Sequence, residues 1–342
     1  MKITKTKFDN FQNKEVIKTT LTNDNNISVS FLNMGAIWHE FLVPNNNDRK
    51  NLLLNFPNIK DYYLNPFYLN MAIGRTGGRI KNGTMPLNGQ DIVLPTNEEG
   101  NNLHGGPNGF NTFFWNQYTK ESKDSLSITY YRTITEKEDG YPGDIDIEIT
   151  YILSNNNDVT ICYKGTSNKD TFFNPTCHAY FNLGNSDTIL NHNLQINSDY
   201  YLEVDSKKIP TGNLTAVTNT PFDFRNSINL DYAIKEMSDT TEKGFDDIFK
   251  INKDEKKPIA ILKDNDSNSK IKIFSSRNGL VVFSANSFTS NMQLIKGNGK
   301  PYMGIALEPQ TLSDTHNHKG FGNVALAKGE SQKYSIKYKY FK

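Results

Sequence analysis

Residues 145–153 read IDIEITYIL, a run in which every second side chain is apolar and the positions between them include Asp146, Glu148 and Thr150. Because successive side chains of a β-strand point to opposite faces, this pattern predicts a strand with one buried and one exposed face. The same alternation recurs in VTICYK at 159–164 and in YSIKYKY at 334–340. Half-buried strands of this kind are typical of antiparallel sheets.

Short turn sequences separate these runs and leave little room for helices between them. They carry the Gly, Asn, Asp or Pro that tight turns favour, and they are DGYPGD at 139–144, SNNND at 154–158, KDNDSNS at 263–269 and SSRNG at 275–279. Helical patterns are confined to 58–64 and 230–237. A parallel sheet would need a long crossover after each strand. We therefore predict a mainly β fold, a single large antiparallel β-sandwich with a few short helices.

Composition narrows the classes of protein that fit this sequence. No linker divides the 342 residues, which predicts one domain over residues 1–342. The 38 basic and 37 acidic residues balance, so no overall field would attract a nucleic acid. No apolar run reaches the roughly 18 residues of a membrane span, and the charged start of the chain lacks the apolar segment of a signal peptide. We expect a cytoplasmic protein with neither nucleic acid nor membrane as partner.

Cysteine and several of the six histidines give little sign of a metal site. Cys162 and Cys177 suggest neither a disulfide framework nor a zinc site. His39 lies in a predicted strand and is expected in the core, whereas His192 lies near a turn and is expected to be exposed. The H-x-H pair at 316–318 has metal-ligand spacing, but no carboxylate or cysteine stands at a supporting distance. No metal is predicted.

His104, His178 and Glu308 stand in more suggestive surroundings. His104 precedes two glycines in NNLHGGPNGF, and glycine allows a backbone to approach a ligand closely. His178 lies in NPTCHAYFNL, a segment dense in hydrogen-bonding side chains. Glu308 ends the apolar run MGIAL, and a carboxylate at the end of a buried strand is costly unless it is paired or functional. Partial burial would raise its pKa towards the range of a general base.

Two further segments carry candidate binding groups. GFDDIF at 244–249 presents Asp246 and Asp247 between aromatic residues, an arrangement suited to binding hydroxyl groups. Arg75 and Arg79 lie in GRTGGRIKNG, which lacks the glycine and lysine spacing of a phosphate-binding loop. An arginine fork held against sugar oxygens is therefore the better interpretation of this segment.

Taken together, these segments resemble the aldose 1-epimerase (galactose mutarotase) family. The resemblance runs in order across nearly the whole chain, through GGRIKNG at 77–83, LHGG at 103–106, EDGYPGD at 138–144, NPTCHAYFNL at 174–183, GFDDIF at 244–249, VVFSAN at 281–286 and GIALEPQ at 304–310. Two positions depart from the family pattern. Gly78 stands where many members have Asn, and Cys177 stands where many have Asn or Gly.

The resemblance implies a fold, a reaction and roles for five residues. The fold would be a β-sandwich of the galactose-mutarotase type, and the reaction the exchange of sugar anomers through ring opening. Glu308 would act as base and His178 as acid, so both should face one cleft. His104, Asp246 and Arg79 would bind the substrate or stabilise the transition state. The chemistry calls for no cofactor and no metal, and the expected partner is a small monosaccharide bound by a monomer or homodimer.

Other functions remain open on the sequence alone. A hexose-6-phosphate epimerase would need a cationic cluster at the cleft, for which Arg75, Arg79 and Arg225 are candidates. A silent sugar-binding protein would need no acid–base pair, although Glu308 and His178 are both present. A glycosidase would use two carboxylates, whereas the matching segments combine one glutamate with histidines. The preferred aldose, whether galactose, glucose or another, stays open.

Overall fold

The computed structural model of the protein describes residues 1–46, 48–254 and 256–342. The first fifteen strands are β1 Lys2–Phe11, β2 Lys14–Thr22, β3 Ser28–Leu32, β4 Ile37–Asn45, β5 Asp48–Asn51, β6 Ala72–Ile73, β7 Arg79–Ile80, β8 Thr84–Leu87, β9 Gln90–Val93, β10 Asn102–Leu103, β11 Asn116–Glu121, β12 Ser125–Ile134, β13 Ile145–Ser154, β14 Asp158–Ser167 and β15 Thr171–Phe172.

The second half of the chain continues in the same way. Its strands are β16 Thr176–Cys177, β17 Tyr180–Phe181, β18 His192–Ile196, β19 Ser198–Val204, β20 Pro210–Ala216, β21 Ile228–Asn229, β22 Asp246–Ile251, β23 Ala260–Asp264, β24 Lys270–Ser275, β25 Gly279–Phe283, β26 Gln293–Leu294, β27 Gly297–Asn298, β28 Ile305–Gln310, β29 Ala325–Leu326 and β30 Ser331–Phe341. The helices are α1 Ile59–Leu64, α2 Glu136–Asp139 and α3 Leu230–Lys235, with 3-10 turns at Lys81–Gly83, Phe110–Thr112 and Thr315–Asn317.

Three antiparallel sheets make up most of the fold. The five-stranded sheet has the order β1-β2-β3-β4-β5, the nine-stranded sheet β11-β12-β13-β14-β30-β24-β23-β18-β21, and the six-stranded sheet β17-β28-β25-β22-β19-β20. Short two-stranded sheets, among them β7–β10 and β6–β16, complete the architecture. The predicted mainly β, antiparallel sandwich is confirmed.

The nine-stranded sheet shares one hydrophobic core with the other two large sheets. In β13 the alternation of the sequence becomes alternation of burial, with Ile145 through Leu153 buried at every second position. Aromatic contacts join the sheets: the rings of Phe31 and Tyr151 stack at 4.2 Å, and Phe181 lies 5.5 Å from Tyr338. When only one face of a strand is covered, apolar residues recur at every second position, as they do in this sequence.

The predicted helices form where the sequence placed them. Asn58 caps α1, its Oδ1 accepting a hydrogen bond from the backbone N–H of Asp61 at 2.9 Å. Asn229 caps α3 in the same manner, and that helix ends at Lys235, two residues before the predicted end. Within the described ranges, no helix is long and apolar enough to cross a membrane.

Candidate active site

One face of the six-stranded sheet forms the floor of a cavity of about 330 Å³. In the ladders of this sheet, Val281 lies opposite both Glu308 and Ile248. Two residues further along β25, Phe283 lies opposite Asp246. Because residues two apart on a strand share a face, these side chains all border the same cavity. The register of the sheet thus gathers residues from widely separated parts of the chain.

His178 and Glu308 face each other on this floor. Strand β17 pairs with β28 through Tyr180 opposite Ala306. Continuing that register by two residues sets His178 opposite Glu308, and Nε2 of the imidazole lies 3.3 Å from Oε1 of the carboxylate. Both side chains are buried, 5% and 1% exposed respectively. An acidic and a basic group are therefore in direct contact at the bottom of the cavity.

Burial changes how these two groups hold protons. In the described part of the chain, neither carboxylate oxygen of Glu308 has a hydrogen-bond partner, and neither has Nδ1 of His178. Burial raises the pKa of Glu308 well above its usual range; the charge of Asp246 adds to this rise and that of Arg79 opposes it. Burial lowers the pKa of His178 to about 3. Without a ligand, the pair therefore favours its uncharged forms, with the proton on the carboxyl.

Two tyrosine rings hold the His178 imidazole in place. The ring of Tyr180 stacks on it at 4.9 Å with an angle of 18° between the planes. Tyr68 lies nearly parallel at 6.2 Å. The Tyr180 hydroxyl donates to the carbonyl of Phe67 at 3.0 Å, which fixes the orientation of its ring. Since Nδ1 of His178 has no partner of its own in the described ranges, this packing sets the plane of the imidazole.

The opposite wall of the cavity comes from the small sheet β7–β10, where Leu103 pairs with Arg79. His104 follows β10 and has a φ of 53°, a left-handed conformation. Its backbone N–H donates to the carbonyl of Gly78 at 3.1 Å, and its Nδ1 accepts from the Gly78 N–H at 3.2 Å. Because Nδ1 is an acceptor, the neutral ring carries its proton on Nε2. His104 is thus a hydrogen-bond donor beside His178, with the ring centroids 5.3 Å apart.

Arg79 and Asp246 lie towards the entrance. The guanidinium of Arg79 binds Glu98 through two hydrogen bonds, Nε to Oε2 at 2.6 Å and Nη2 to Oε1 at 2.9 Å. Its remaining nitrogen, Nη1, lies 3.9 Å from Oδ2 of Asp246. Such a bidentate pair fixes the plane of the guanidinium. Nε and Nη2 of Arg79 are thus occupied by Glu98, and Nη1 borders the cavity together with Asp246.

His104, His178 and Glu308 also bring possible metal ligands within 4.8 Å of one another. The hydrogen-bond pattern fits a metal poorly. His104 accepts at Nδ1 from Gly78, so its Nε2 is an N–H and not a free ligand. Histidines that bind metals usually donate their second nitrogen to a partner, and Nδ1 of His178 has none among the described residues. The three groups suit a hydroxylated ligand better than a metal ion.

The five residues that the sequence singled out, Glu308, His178, His104, Asp246 and Arg79, border this one cavity. Sequence reasoning missed three other groups that the structure brings to it. They are Tyr68, Glu98 and Lys208. The positive φ of Tyr68, 50°, and the pairing of Glu98 with Arg79 depend on tertiary contacts, so no local pattern marks them.

The expectation that His192 is exposed was wrong. Its side chain is fully buried, and Nε2 accepts from the backbone N–H of Leu183 at 2.9 Å. Nδ1 lies 4.0 Å from Asp264. The hydrogen bond from Leu183 offsets the cost of burying this histidine. The turn sequence beside His192 does not show that such a partner exists. His39 is buried as expected, with Nδ1 2.9 Å from the Tyr62 hydroxyl.

The arginine cluster considered for a phosphate does not form. Arg75 is fully buried and binds Asp139 through two hydrogen bonds of 2.6 and 2.9 Å. Arg225 pairs with Asp223 at 2.6 Å, and neither arginine borders the cavity. Of the three candidates, Arg79 alone lies there.

The H-x-H segment also differs from its description in the sequence, because a carboxylate does stand beside it. Oδ2 of Asp314 lies 3.2 Å from Nε2 of His318. Nδ1 of His316 instead donates to the carbonyl of Pro86 at 2.9 Å, and its Nε2 accepts from the backbone N–H of Val324 at 3.1 Å. The two rings therefore have separate protein partners.

Comparison with known proteins identifies the family of this chain. The family model described as aldose 1-epimerase matches residues 18–339. The chain is 40% identical to an aldose 1-epimerase of Streptococcus thermophilus over 96% of this chain and 95% of that protein. The chain belongs to the aldose 1-epimerase family. It is 34% identical to a maltose epimerase of Levilactobacillus brevis over 99% of both chains.

A solved structure agrees with this assignment. The galactose 1-epimerase of Lactobacillus acidophilus superposes with a TM-score of 0.87 and 28% identity, covering 99% of this chain and 98% of the other. The protein is therefore an epimerase that acts on sugars, as the resemblance implied. The galactose-mutarotase type of β-sandwich is likewise confirmed.

The two departures from the epimerase family pattern lie in different places. Gly78 borders the cavity and contributes its backbone N–H to His104. Cys177 is fully buried and belongs to the hydrophobic core between the large sheets. Because neighbouring residues on a strand point to opposite faces, the side chain of Cys177 points away from the cavity, whereas that of His178 points into it. Of the two positions, Gly78 is therefore the one that borders the cavity.

Proposed function

We propose that this epimerase interconverts the α and β anomers of free hexoses such as galactose and glucose, with Glu308 as base and His178 as acid. The observation that carries the proposal is the 3.3 Å approach of His178 Nε2 to Glu308 Oε1. Anomer exchange requires proton transfers at two oxygens attached to one carbon. Two proton-transfer groups in contact on the floor of a small cavity suit that geometry.

The reaction proceeds by ring opening and closure. Glu308 takes the proton of the C1 hydroxyl while His178 delivers a proton to the ring oxygen, and the bond between C1 and that oxygen breaks. C1 is now an aldehyde carbon, and rotation about the C1–C2 bond presents its other face. On closure, His178 recovers the proton from the C5 hydroxyl as that oxygen attacks C1, and Glu308 returns its proton to the C1 oxygen. Each well-placed acid or base contributes roughly 10²–10⁴-fold.

Sugar binding prepares the pair for the first transfer. Without a ligand, burial favours a protonated Glu308 and a neutral His178. A sugar hydroxyl that donates a hydrogen bond to the Glu308 carboxylate stabilises its charged form and lowers its pKa. The stacked ring of Tyr180 offers a negative face to the His178 imidazolium. The bound sugar thus makes the ionised pair accessible at the moment when it is needed.

Three side chains hold the sugar over this pair. His104 presents the Nε2 proton that its bond to Gly78 leaves free. Asp246 accepts from a sugar hydroxyl, and Arg79 Nη1, 3.9 Å from Asp246 Oδ2, donates to an adjacent oxygen. A volume of about 330 Å³ lies at the small end of ligand pockets. These features support a single pyranose ring as the group bound at the floor.

A phosphorylated sugar fits the entrance less well than a neutral one. A second cavity of about 560 Å³ adjoins the first and shares Arg79, Lys208 and Asp246 with it. Phosphate recognition calls for an excess of cationic groups. The charges bordering this entrance balance instead; the cations are Arg79, Lys207, Lys208 and Lys243, and the anions Glu98, Glu99, Glu242 and Asp246.

The roomy entrance favours a second class of substrate, reducing disaccharides such as maltose. The reducing ring would lie over Glu308, and the other ring would occupy the entrance cavity beside Phe283 and Tyr302. Aromatic rings pack well against the CH faces of a pyranose. The name of the Levilactobacillus brevis relative, maltose epimerase, agrees with this reading.

Polarimetry on a panel of sugars tests the proposal. The rates of approach to anomeric equilibrium would be measured for galactose, glucose, xylose, arabinose, maltose and glucose 6-phosphate, each corrected for the spontaneous rate in buffer. We expect clear catalysis with galactose and glucose, measurable catalysis with maltose, and a much lower rate with glucose 6-phosphate. Sugar binding without any catalysis would instead identify a silent sugar-binding protein, and a preference for glucose 6-phosphate would identify the phosphosugar epimerase.

A further inference from the structure

The segments that carry His178 and Glu308 are joined by side chains as well as by backbone. Strand β17 pairs with β28 beyond His178, but β16, just before it, pairs with β6. Between β16 and the end of β28, the hydroxyl of Thr176 donates to the carbonyl of Pro309 at 3.0 Å. Side-chain bonds there take the place of a continuous ladder.

Asn174 and Thr311 join the same two segments at a point further from His178 and Glu308. Nδ2 of Asn174 donates to the Thr311 carbonyl at 3.1 Å, and the Thr311 N–H donates to Oδ1 of Asn174 at 3.0 Å. The amide thus pairs with the backbone of Thr311 as another strand would. Asn174 lies four residues before His178, and Thr311 lies three residues after Glu308.

Arg277 binds both of these segments at once. Its Nε donates to Oγ1 of Thr311 at 3.2 Å, its Nη1 to the carbonyl of Pro175 at 3.1 Å, and its Nη2 to Oδ1 of Asn174. The guanidinium lies 3.8 Å from the ring centroid of Tyr334. One planar group therefore spans the chain leading into His178 and the chain leaving Glu308.

The surroundings of Arg277 are unusual for a buried cation. It is 5% exposed, and no carboxylate among the described residues forms an ion pair with it. Burial lowers its pKa to about 10. An unpaired buried charge is costly, and here carbonyl, amide and hydroxyl oxygens together with the ring of Tyr334 offset that cost. An apolar side chain would avoid it, so the fork geometry itself has a use at this position.

We propose that Arg277 is a positioning residue that sets the distance between the His178 imidazole and the Glu308 carboxylate. This inference rests on the proposed acid–base roles of those two residues. A misplacement of about 1 Å in a reacting group can lower a rate by about 10²-fold. Arg277 does not border the cavity, so its loss should act on turnover and not on binding.

The test compares Arg277→Lys and Thr311→Val with Leu153→Ala. The lysine keeps the charge but not the planar fork, and the valine removes one acceptor while keeping the shape of the side chain. Leu153→Ala opens a cavity in the core of the nine-stranded sheet, outside residues 174–178 and 308–311, and serves as the control for general destabilisation. For each variant, kcat and KM for galactose and the fraction of folded protein would be measured.

We expect kcat per folded molecule to fall about 10–100-fold in Arg277→Lys and about 3–10-fold in Thr311→Val, with KM within threefold of wild type. Leu153→Ala should lose stability and keep its kcat. A kcat within twofold of wild type in the folded fraction of both Arg277→Lys and Thr311→Val would overturn the inference. That outcome would leave the proposed function standing, because the wild-type enzyme would still be active; an inactive wild type would overturn both.

Discussion

Ser313 occupies the space beside Gly78: its Oγ lies 2.0 Å from the position that a Cβ on Gly78 would take. Gly78 has a φ of 72°, a left-handed conformation that asparagine tolerates better than most residues. An asparagine at this position would therefore meet both a lack of space and a left-handed backbone. Ser313 accepts from Nε2 of Gln310 at 2.9 Å, which holds its hydroxyl in place.

We therefore expect Gly78→Asn to lower stability and activity by itself, and to do less harm when Ser313 is also replaced by a smaller residue. We expect the single variant to lose about 1–3 kcal/mol of stability through overpacking, together with part of its mutarotase rate. Ser313→Gly in the same chain removes the two nearest atoms, Oγ and Cβ of Ser313, and should restore part of both. Denaturant unfolding of the two single variants and the double variant measures this coupling. Additive effects would contradict the contact.

The stacked ring of Tyr180 should govern the acid function of His178. Tyr180→Leu removes the aromatic face, which is worth about 0.5–2 kcal/mol to a nearby cation. The imidazolium is then less stable, so the pKa of His178 falls further and the rate drops about tenfold. Tyr180→Phe keeps the ring and serves as the control. The pH profile of kcat measures the shift, and identical profiles for the Leu and Phe variants would show that the stack has no such role.

Asp246→Asn should change both the base and the affinity for sugar. The negative charge of Asp246 contributes to the raised pKa of Glu308. Its removal lowers that pKa, so the acidic limb of the kcat/KM profile moves to lower pH. The lost charged acceptor should also raise KM about tenfold or more. Initial rates between pH 4 and 8 test both effects, and an unmoved acidic limb would contradict the electrostatic link between these residues.

Buried histidines should make the fold sensitive to mild acid. Burial lowers the pKa of His192 from 6.5 to about 4, with similar effects on His39 and His178. Because the folded pKa lies below the unfolded one, stability is complete above about pH 6.5 and falls as the pH drops towards 4. The amide oxygen of His192→Gln can still accept from Leu183. Near pH 5 this variant should take up about one proton fewer on unfolding.

The slope of the unfolding free energy against pH measures that proton uptake. A His192→Gln variant with the slope of the wild type would show that His192 is protonated in the folded state. The comparison is independent of catalysis, because His192 does not border the cavity.

The alternating strands could be predicted because each packs against the core on one face only. In β13, every second residue from Ile145 enters the core, so the alternation in the sequence reports the covered face directly. The turn at 154–158 connects the neighbouring antiparallel strands β13 and β14. The turn at 275–279 instead leads from β24 in the nine-stranded sheet to β25 in the six-stranded sheet. The pairing order of the three sheets was not predictable, since it depends on contacts between distant segments that no local pattern encodes.

The five candidate residues could be named from the sequence, but their placement around one cavity could not be predicted from it. A carboxylate in the apolar run before Pro309 stands out in the sequence, and Glu308 is indeed buried. Nothing local shows that the β17–β28 register sets His178 opposite it. Arg75 illustrates the reverse case, because its glycine-rich neighbourhood suggested a ligand while its partner is Asp139. Burial and pairing are properties of the folded chain.

The most direct test of the acid–base account is polarimetry of Glu308→Gln on galactose. The amide keeps the shape of the side chain and removes both its charge and its basicity, so the fold should persist. Glu330→Gln, at an exposed position, is the matched control. We expect a loss of about 100-fold or more in the Glu308 variant and none in the control, with equal folding by circular dichroism. Near-normal mutarotation by Glu308→Gln would contradict the account.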